Sequence, residues 1–452
     1  MKSVKKRLLL TAVALSIAAP TSVFATNGYF LIGFGAKSRG MGGVGVAYGQ
    51  DGMAAAFNPA GMIDVDSRFD IGGELFMPKR AVYHDSVNLP ADETSKGDFF
   101  LLPSMGGISH VNPDFAWGVA VVGAGLGTKY NQANSGSFFN FSGLGGNKNV
   151  GVSLMQMQIL PSVAFRLNKT HTFGASLSLA TQEFKAWGLG AFGTLGFTND
   201  TSALTDRGMD WAYGFGARLG WLGKFDDNRL TAGLNYSSRV YMTKFNRYAG
   251  LFAEGGDFDI PSNYAGGLAF KVTPKFNVTG DMQYIRYSEV RSVGNPGPDA
   301  SNPSNFFPLC PGTSDVTPCL LGGKFGLGFG WTNQTIYKLG MDYRYSEATT
   351  LRVGYNYGKS PVPASQVLFN MLAPGVVEHH ITLGATFDGY NALAKYMGAK
   401  RGEININYMH AFRNTLKGPT AFPPAGYPVA VGTNASIAME QNAIGIAYAF
   451  KF

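Results

Sequence analysis

Bulky apolar and small residues alternate along run after run of this chain, and that period of two constrains its fold more than any other feature. In residues 443–452, Ile444, Ile446, Tyr448, Phe450 and Phe452 share one face, with Gly445, Ala447, Ala449 and Lys451 on the other. Tyr337, Leu339, Met341, Tyr343 and Tyr345 alternate with Lys338, Gly340, Asp342 and Arg344, and Leu351, Val353, Tyr355 and Tyr357 with Arg352, Gly354 and Asn356. Trp211, Tyr213, Phe215, Ala217, Leu219 and Trp221 alternate with Ala212, Gly214, Gly216, Arg218 and Gly220. Successive side chains of a strand point to opposite faces. One greasy face and one small or polar face, repeated this often, fit strands that stand between lipid and a lumen.

Composition agrees. Charged residues make up 15% of the chain, where about 25% is usual in soluble proteins. Glycine occurs 61 times, about twice the ordinary usage. Residues 1–25 combine a basic start (Lys2, Lys5, Lys6, Arg7), an apolar run over 8–19 and small residues at Val23 and Ala25, the pattern of a secretory signal cleaved before Thr26. The net charge of +8 includes those four cations, leaving about +4 on the exported chain, which argues against a nucleic-acid partner. Cys310 and Cys319, close in sequence in an exported protein, are expected to form a disulfide bracing an exposed loop.

About fourteen strands are expected, beginning near 67, 99, 115, 151, 171, 208, 229, 263, 276, 332, 349, 377, 402 and 438. Short connections (112–114, 168–170, 273–275, 346–348) interleave with long ones (125–150, 188–207, 241–262, 287–331, 359–376, 413–437), as short periplasmic turns and long outer loops require. The connection 389–401 breaks the pattern and suits a small helix. Leu and Phe at Leu189, Phe192, Leu195, Phe197, Leu251 and Phe252 fall in long loops. They are expected either to form an exposed apolar landing surface or to pack together over the barrel mouth.

Ahead of the strands, residues 36–62 read AKSRGMGGVGVAYGQDGMAAAFNPAGM. A glycine-rich segment too weakly apolar to fold alone, placed before a barrel, reads as a plug seated in it. Gly40, Gly42, Gly43 and Gly45 satisfy the spacing of a dinucleotide-binding loop, yet the strand, helix and parallel sheet that loop needs are missing. His379 and His380 point to opposite faces of a strand and cannot chelate one ion. With no HExxH or GxSxG pattern, neither a metal site, a cofactor nor an enzymatic activity is expected.

Asn27-Gly28-Tyr29-Phe30, then Gly40-Met41-Gly42-Gly43, then Ala55-Ala56-Phe57-Asn58-Pro59-Ala60-Gly61, resembles the N-terminal hatch of the FadL/TodX family. That family comprises outer-membrane transporters for long-chain fatty acids and, in some members, aromatic hydrocarbons. The terminal Phe452 resembles the C-terminal insertion signal of bacterial outer-membrane barrels. The resemblance implies an outer-membrane, monomeric β-barrel (67–452) behind a hatch (26–66), with gating at Asn58, Pro59 and Ala60. It also implies a kinked third strand opening a gap in the wall, here 115–125 with Gly118 and Gly123. The cargo would be a hydrophobic molecule, released past the hatch and sideways into the membrane lipid. A carboxylate on that cargo would want a lumen cation; strand parity turns Arg218, Arg239, Lys338, Arg344 and Arg352 inward, and Arg239 and Lys338 lie nearest the outer half. An ordinary lumen network with Asp281, Asp342 and Glu403 is the competing role for these cations. Rival functions are a general diffusion porin, which an unplugged lumen would favour, and a barrel lipase or adhesin.

Overall fold

A computed structural model describes residues 27–84, 91–131, 149–297, 310, 315–420 and 432–452, so the signal segment lies outside the described residues. The strands are β1 (Arg68–His84), β2 (Ala91–Thr94), β3 (Phe100–Asn112), β4 (Phe115–Asn131), β5 (Asn149–Arg166), β6 (His171–Trp187), β7 (Asp210–Phe225) and β8 (Leu230–Ser237). They continue with β9 (Tyr241–Met242), β10 (Asn263–Thr273), β11 (Phe276–Ile285), β12 (Gln334–Arg344), β13 (Thr349–Gly358), β14 (His379–Asp388), β15 (Arg401–Thr420) and β16 (Gly432–Lys451). Fourteen of them pair antiparallel with their neighbours, and β16 returns to β1 over the full length of the latter, closing the barrel. Closure leaves neither the first nor the last strand as a free edge, as a sheet in lipid requires. The other two are short: β2 extends the pairing of β1 at Ala81–His84, and β9 adds to β7.

The alternation sorts as expected. Phe215, Leu219, Tyr337, Leu351 and Ile446 stand exposed on the outer wall, while Ala212, Arg218 and Lys338 are buried inside it. Strand starts fall within a few residues of those expected. The last two strands run longer, reaching Thr420 and Gly432, so the connection anticipated over 413–437 is shorter. The anomalous connection holds the helix Asn391–Tyr396. Cys310 and Cys319 are bonded, their Cα atoms 5.5 Å apart.

The leading segment from Asn27 runs across the lumen, and the wall makes room for it with glycine. At Gly174 (β6), Gly220 (β7), Gly233 (β8), Gly340 (β12) and Gly354 (β13), a Cβ would come within 2.0–2.5 Å of atoms of that segment. Wall backbone meets the segment's backbone there, and at Gly220 the side chains of Asn58 and Pro59, so any side chain would push the two apart. Polar wall groups then hold the segment's own backbone. Asp281 Oδ2 accepts from Gly45 N (2.8 Å) and Val46 N (3.1 Å), and Thr382 Oγ1 accepts from Gly42 N (2.7 Å). Buried ion pairs add to the grip: Arg39 forks onto Glu74, and Lys37 Nζ lies 2.7 Å from Glu403 Oε1.

Candidate functional site

The wall is interrupted between β3 and β4. The β3–β4 ladder runs from Asn112↔Phe115 to Met105↔Val121 and stops. Beyond that point β3 stays paired to β1, from Ser104↔Gly72 to Phe100↔Phe76, and β4 stays paired to β5 as far as Asn131↔Asn149. Residues 122–127 of β4 therefore lack a ladder partner on the β3 side. Pro103 sits on the opposite bank and has no N–H to offer. At the loop end the break closes again: Lys96 N donates to Lys129 O (2.7 Å), and Lys129 N to Ser95 Oγ (3.0 Å). The guanidinium of Arg80 straddles this upper rim, donating to the carbonyls of Gly97 and Gly127. A cavity of about 400 Å³ occupies the gap, lined by Leu31, Phe34 and Met53 of the leading segment, by Leu102–Ser104 on one bank and by Val121–Gly123 on the other. Ile446, on the outer face of the barrel, also lines it. The cavity thus runs from lumen to outer wall.

A second, larger cavity of about 590 Å³ lies toward the long loops. Leu126, Leu154 and Phe184 of the strands and Leu189, Phe192, Leu251, Phe252, Phe258, Leu327 and Phe369 of the loops line it. Ser292 is the one polar side chain among its lining residues, and none of them is a cation. Aromatic rings frame the chamber: Phe184–Phe252 at 4.6 Å, Phe252–Phe258 at 4.9 Å and Phe192–Phe369 stacked at 5.6 Å. Tyr29 of the leading segment reaches this cluster, packing on Phe258, Tyr287 and Trp331. A third cavity, of about 290 Å³, is lined by Gly28, Arg80, Gly125–Thr128 and Trp331. Strand β4 borders all three.

The six apolar loop residues therefore do not form a surface exposed to solvent. Leu189, Phe192, Phe197 and Phe252 are buried, and Leu195 and Leu251 are partly buried against the same cluster. Burying them removes apolar area that water would otherwise face, worth about 25 cal/mol per Å². Four of the six line the chamber; Leu195 and Phe197 pack behind it.

The two cations singled out by parity stand apart from both cavities. Lys338 Nζ donates to Ile32 O at 2.8 Å, holding the leading segment. Arg239 lies between β8 and β9 in the loop layer, not on a barrel strand, with Asp259 at 2.5 Å and Asp257 at 3.4 Å. Arg218 faces the lumen and donates to Ala56 O and Gln158, Arg352 donates to Thr386, and Arg344 is exposed at its strand end. The competing network is present in part. Asp281 carries the leading segment's backbone, Asp342 accepts from Asn277, and Glu403 gathers Lys37, Arg68 and Lys451.

Asn58 is fully buried. Its Nδ2 donates to Val46 O and to Trp221 O of the wall, and its Oδ1 accepts from Ala60 N, capping the turn Pro59–Asp64. Of the two glycines expected at the wall gap, Gly123 lines it. Gly118 instead lies inside the intact ladder opposite Ile108, where a Cβ would meet Gly107 O and the sulfur of Met62. Pro103 and Arg80, which border the gap, were not foreseen. A proline inside an otherwise apolar alternating run is the signal that marks such a place.

Residues 20–394 match the family model described as "Outer membrane protein transport protein (OMPP1/FadL/TodX)". The chain is 26% identical over 477 residues to the long-chain fatty acid transport protein of Escherichia coli K12, covering 95% of this chain and 97% of that one. It is 24% identical over 476 residues to the protein of the same name from Salmonella typhi, at 95% and 98% coverage. Among solved structures, the toluene transporter TodX of P. putida superposes with a TM-score of 0.64 at 17% identity, covering 93% of this chain and 99% of that one. A Pseudomonas aeruginosa FadL homologue superposes with 0.66 at 12% identity, covering 94% and 100%. At such identities the structural likeness speaks for the fold.

Proposed function

The chain belongs to the FadL/TodX family of outer-membrane transport proteins, and we propose that it carries long-chain fatty acids or comparably hydrophobic compounds through a lateral route. Cargo enters the apolar chamber beneath the loops, passes along the inner edge of β4, and leaves through the β3–β4 gap into the membrane. The observation that carries this reading is the placement of a chamber without charged lining and a broken wall ladder on the same strand. The chamber offers water and ions nothing, whereas each methylene buried in it stabilises bound cargo by about 0.8 kcal/mol; the charged side chains that line the gap cavity, Arg39 and Glu74, are paired with each other. We assign the leading segment the role of a hatch, with Asn58, Pro59 and Ala60 at its contact with β6 and β7. In this reading the protein acts as a monomer, catalyses no reaction and needs no metal or cofactor.

An uncharged cargo such as an aromatic hydrocarbon is the second reading, favoured by the absence of Lys and Arg from the chamber lining among the described residues. Uptake of labelled oleate and of labelled toluene by cells that lack their own carriers tests both. Expression of this chain should accelerate one or both, while the purified protein should not admit sugars in liposome swelling. Rapid sugar entry with no gain in either uptake would make it a porin.

A further inference from the structure

Two glutamines between the chamber and the wall gap have no partner for any of their polar atoms. Leu154 and Phe184, which line the chamber, are register partners across β5 and β6. Two residues toward the short turns, on the same inner faces, Gln156 and Gln182 are register partners as well. They are 2% and 1% exposed, and neither amide nitrogen nor amide oxygen of either makes a hydrogen bond. The hydroxyl of Tyr29 stands beside Gln156 without meeting hydrogen-bond geometry and is also unsatisfied. Leaving such groups dry costs about 1–3 kcal/mol each, and a barrel interior offers many places where leucine would serve instead.

The position is as telling as the chemistry. On β4, Leu126 pairs with Leu154, Ala124 with Gln156 and Val122 with Gln158. Leu126 lines the chamber and Val122 lines the gap cavity, so the glutamine pair sits one step, about 6.6 Å of strand, from each. Its register neighbours on the adjoining strands are small, Ala124 on β4 and Ala212 on β7.

An amide pair offers both donors and acceptors and carries no charge. A carboxylate, which only accepts, would use the Nε2 groups and leave both Oε1 atoms unpaired. A hydroxyl that donates and accepts satisfies both kinds of group. We propose that Gln156 and Gln182 bind the uncharged hydroxyl-bearing head of an amphiphile, a fatty alcohol or an undissociated fatty acid, whose tail lies in the chamber. This rests on the transport reading above and adds the class of head group: the cargo crosses in its neutral form and checks its head at the glutamines before the gap.

The test is binding of 1-dodecanol, dodecanoic acid and dodecane to the full-length protein in detergent micelles, followed by tryptophan fluorescence. Wild type is compared with Gln156→Leu/Gln182→Leu. The double variant should keep its heat resistance in gels, since apolar replacements remove buried unpaired groups. It should lose about tenfold in 1-dodecanol affinity, about 1.4 kcal/mol, with dodecane binding unchanged or tighter. Equal losses for alcohol and alkane, or no loss for the alcohol, would overturn the proposal. Dodecanoic acid separates the two sources of the head: wild-type affinity that falls as pH rises from about 5 to about 9 marks the undissociated acid, and a flat profile leaves the alcohol alone. Failure of wild type to bind any of the three would overturn the transport reading itself, a result distinct from an insensitive variant.

Discussion

Glu403 gathers three cations where the barrel closes. Its carboxylate lies 2.7 Å from Lys37 of the leading segment, 2.9 Å from Arg68 of β1 and 2.5 Å from Lys451 of β16. It ties the leading segment, the first strand and the last strand at one point, and it is 2% exposed. Removing one member of a buried ion cluster leaves charges uncompensated, at a cost of about 3–5 kcal/mol. Glu403→Gln should accordingly lower the temperature at which the barrel loses its compact gel mobility, whereas an unchanged transition would show that water or other groups replace the carboxylate. A second residue sets a pH dependence in the loop layer. Burial first, and then the charge of Asp259 and of Glu254, push the carboxyl of Asp257 up to about 6, with Arg239 and Lys244 pulling the other way. Because the folded value lies above the ordinary 3.8, the packed loops hold this proton more tightly than the open ones. The stabilisation is complete below about 3.8 and is lost as pH rises through about 6. Proteolysis of the loops should therefore quicken between about pH 4 and about pH 6, and Asp257→Asn should flatten that rise.

At the scale of elements, the strands were legible because lipid demands an apolar side chain at every second outward position. Phe215 and Ile446 could point nowhere else. The turns followed from connection length, and the helix Asn391–Tyr396 fills the one connection that broke the rhythm. The break in the ladder lies beside β4, and it consists in what β4 lacks on its β3 side, which no single strand's pattern records. The sequence left open whether Leu189 and Phe192 would be exposed or packed over the mouth, since the residues that cover them, such as Phe252 and Phe369, come from other loops. Lys338 and Arg239 were identified as cations of interest, yet their partners, Ile32, Asp257 and Asp259, sit on other elements. The glycines of the wall were visible as the small face of each strand, and the structure supplies their use. A Cβ at Gly220 would fall 2.0 Å from Asn58 Oδ1. Gly220→Val should displace the turn at Asn58–Ala60 and raise single-channel conductance while the barrel stays heat-resistant. Wild-type conductance with normal assembly would show that the hatch yields elsewhere.

For the whole molecule, three cavities border one strand, and the sequence of apolar chamber, amide pair and open wall follows β4 from its loop end toward the middle of the barrel. The lumen below is occupied by the leading segment, gripped by backbone contacts on five strands and by Asp281, Thr382 and Glu74. Moving that whole segment would break many buried hydrogen bonds at once, each worth about 0.5–1.5 kcal/mol. The most direct test fills the gap alone. Gly123 lines it on an otherwise intact β4–β5 ladder, so Gly123→Trp should block the exit without touching chamber or hatch. Uptake of labelled cargo by cells carrying this variant is predicted to fall to the background of cells without the protein, with binding by the purified variant retained; uptake at the wild-type rate would contradict the lateral route.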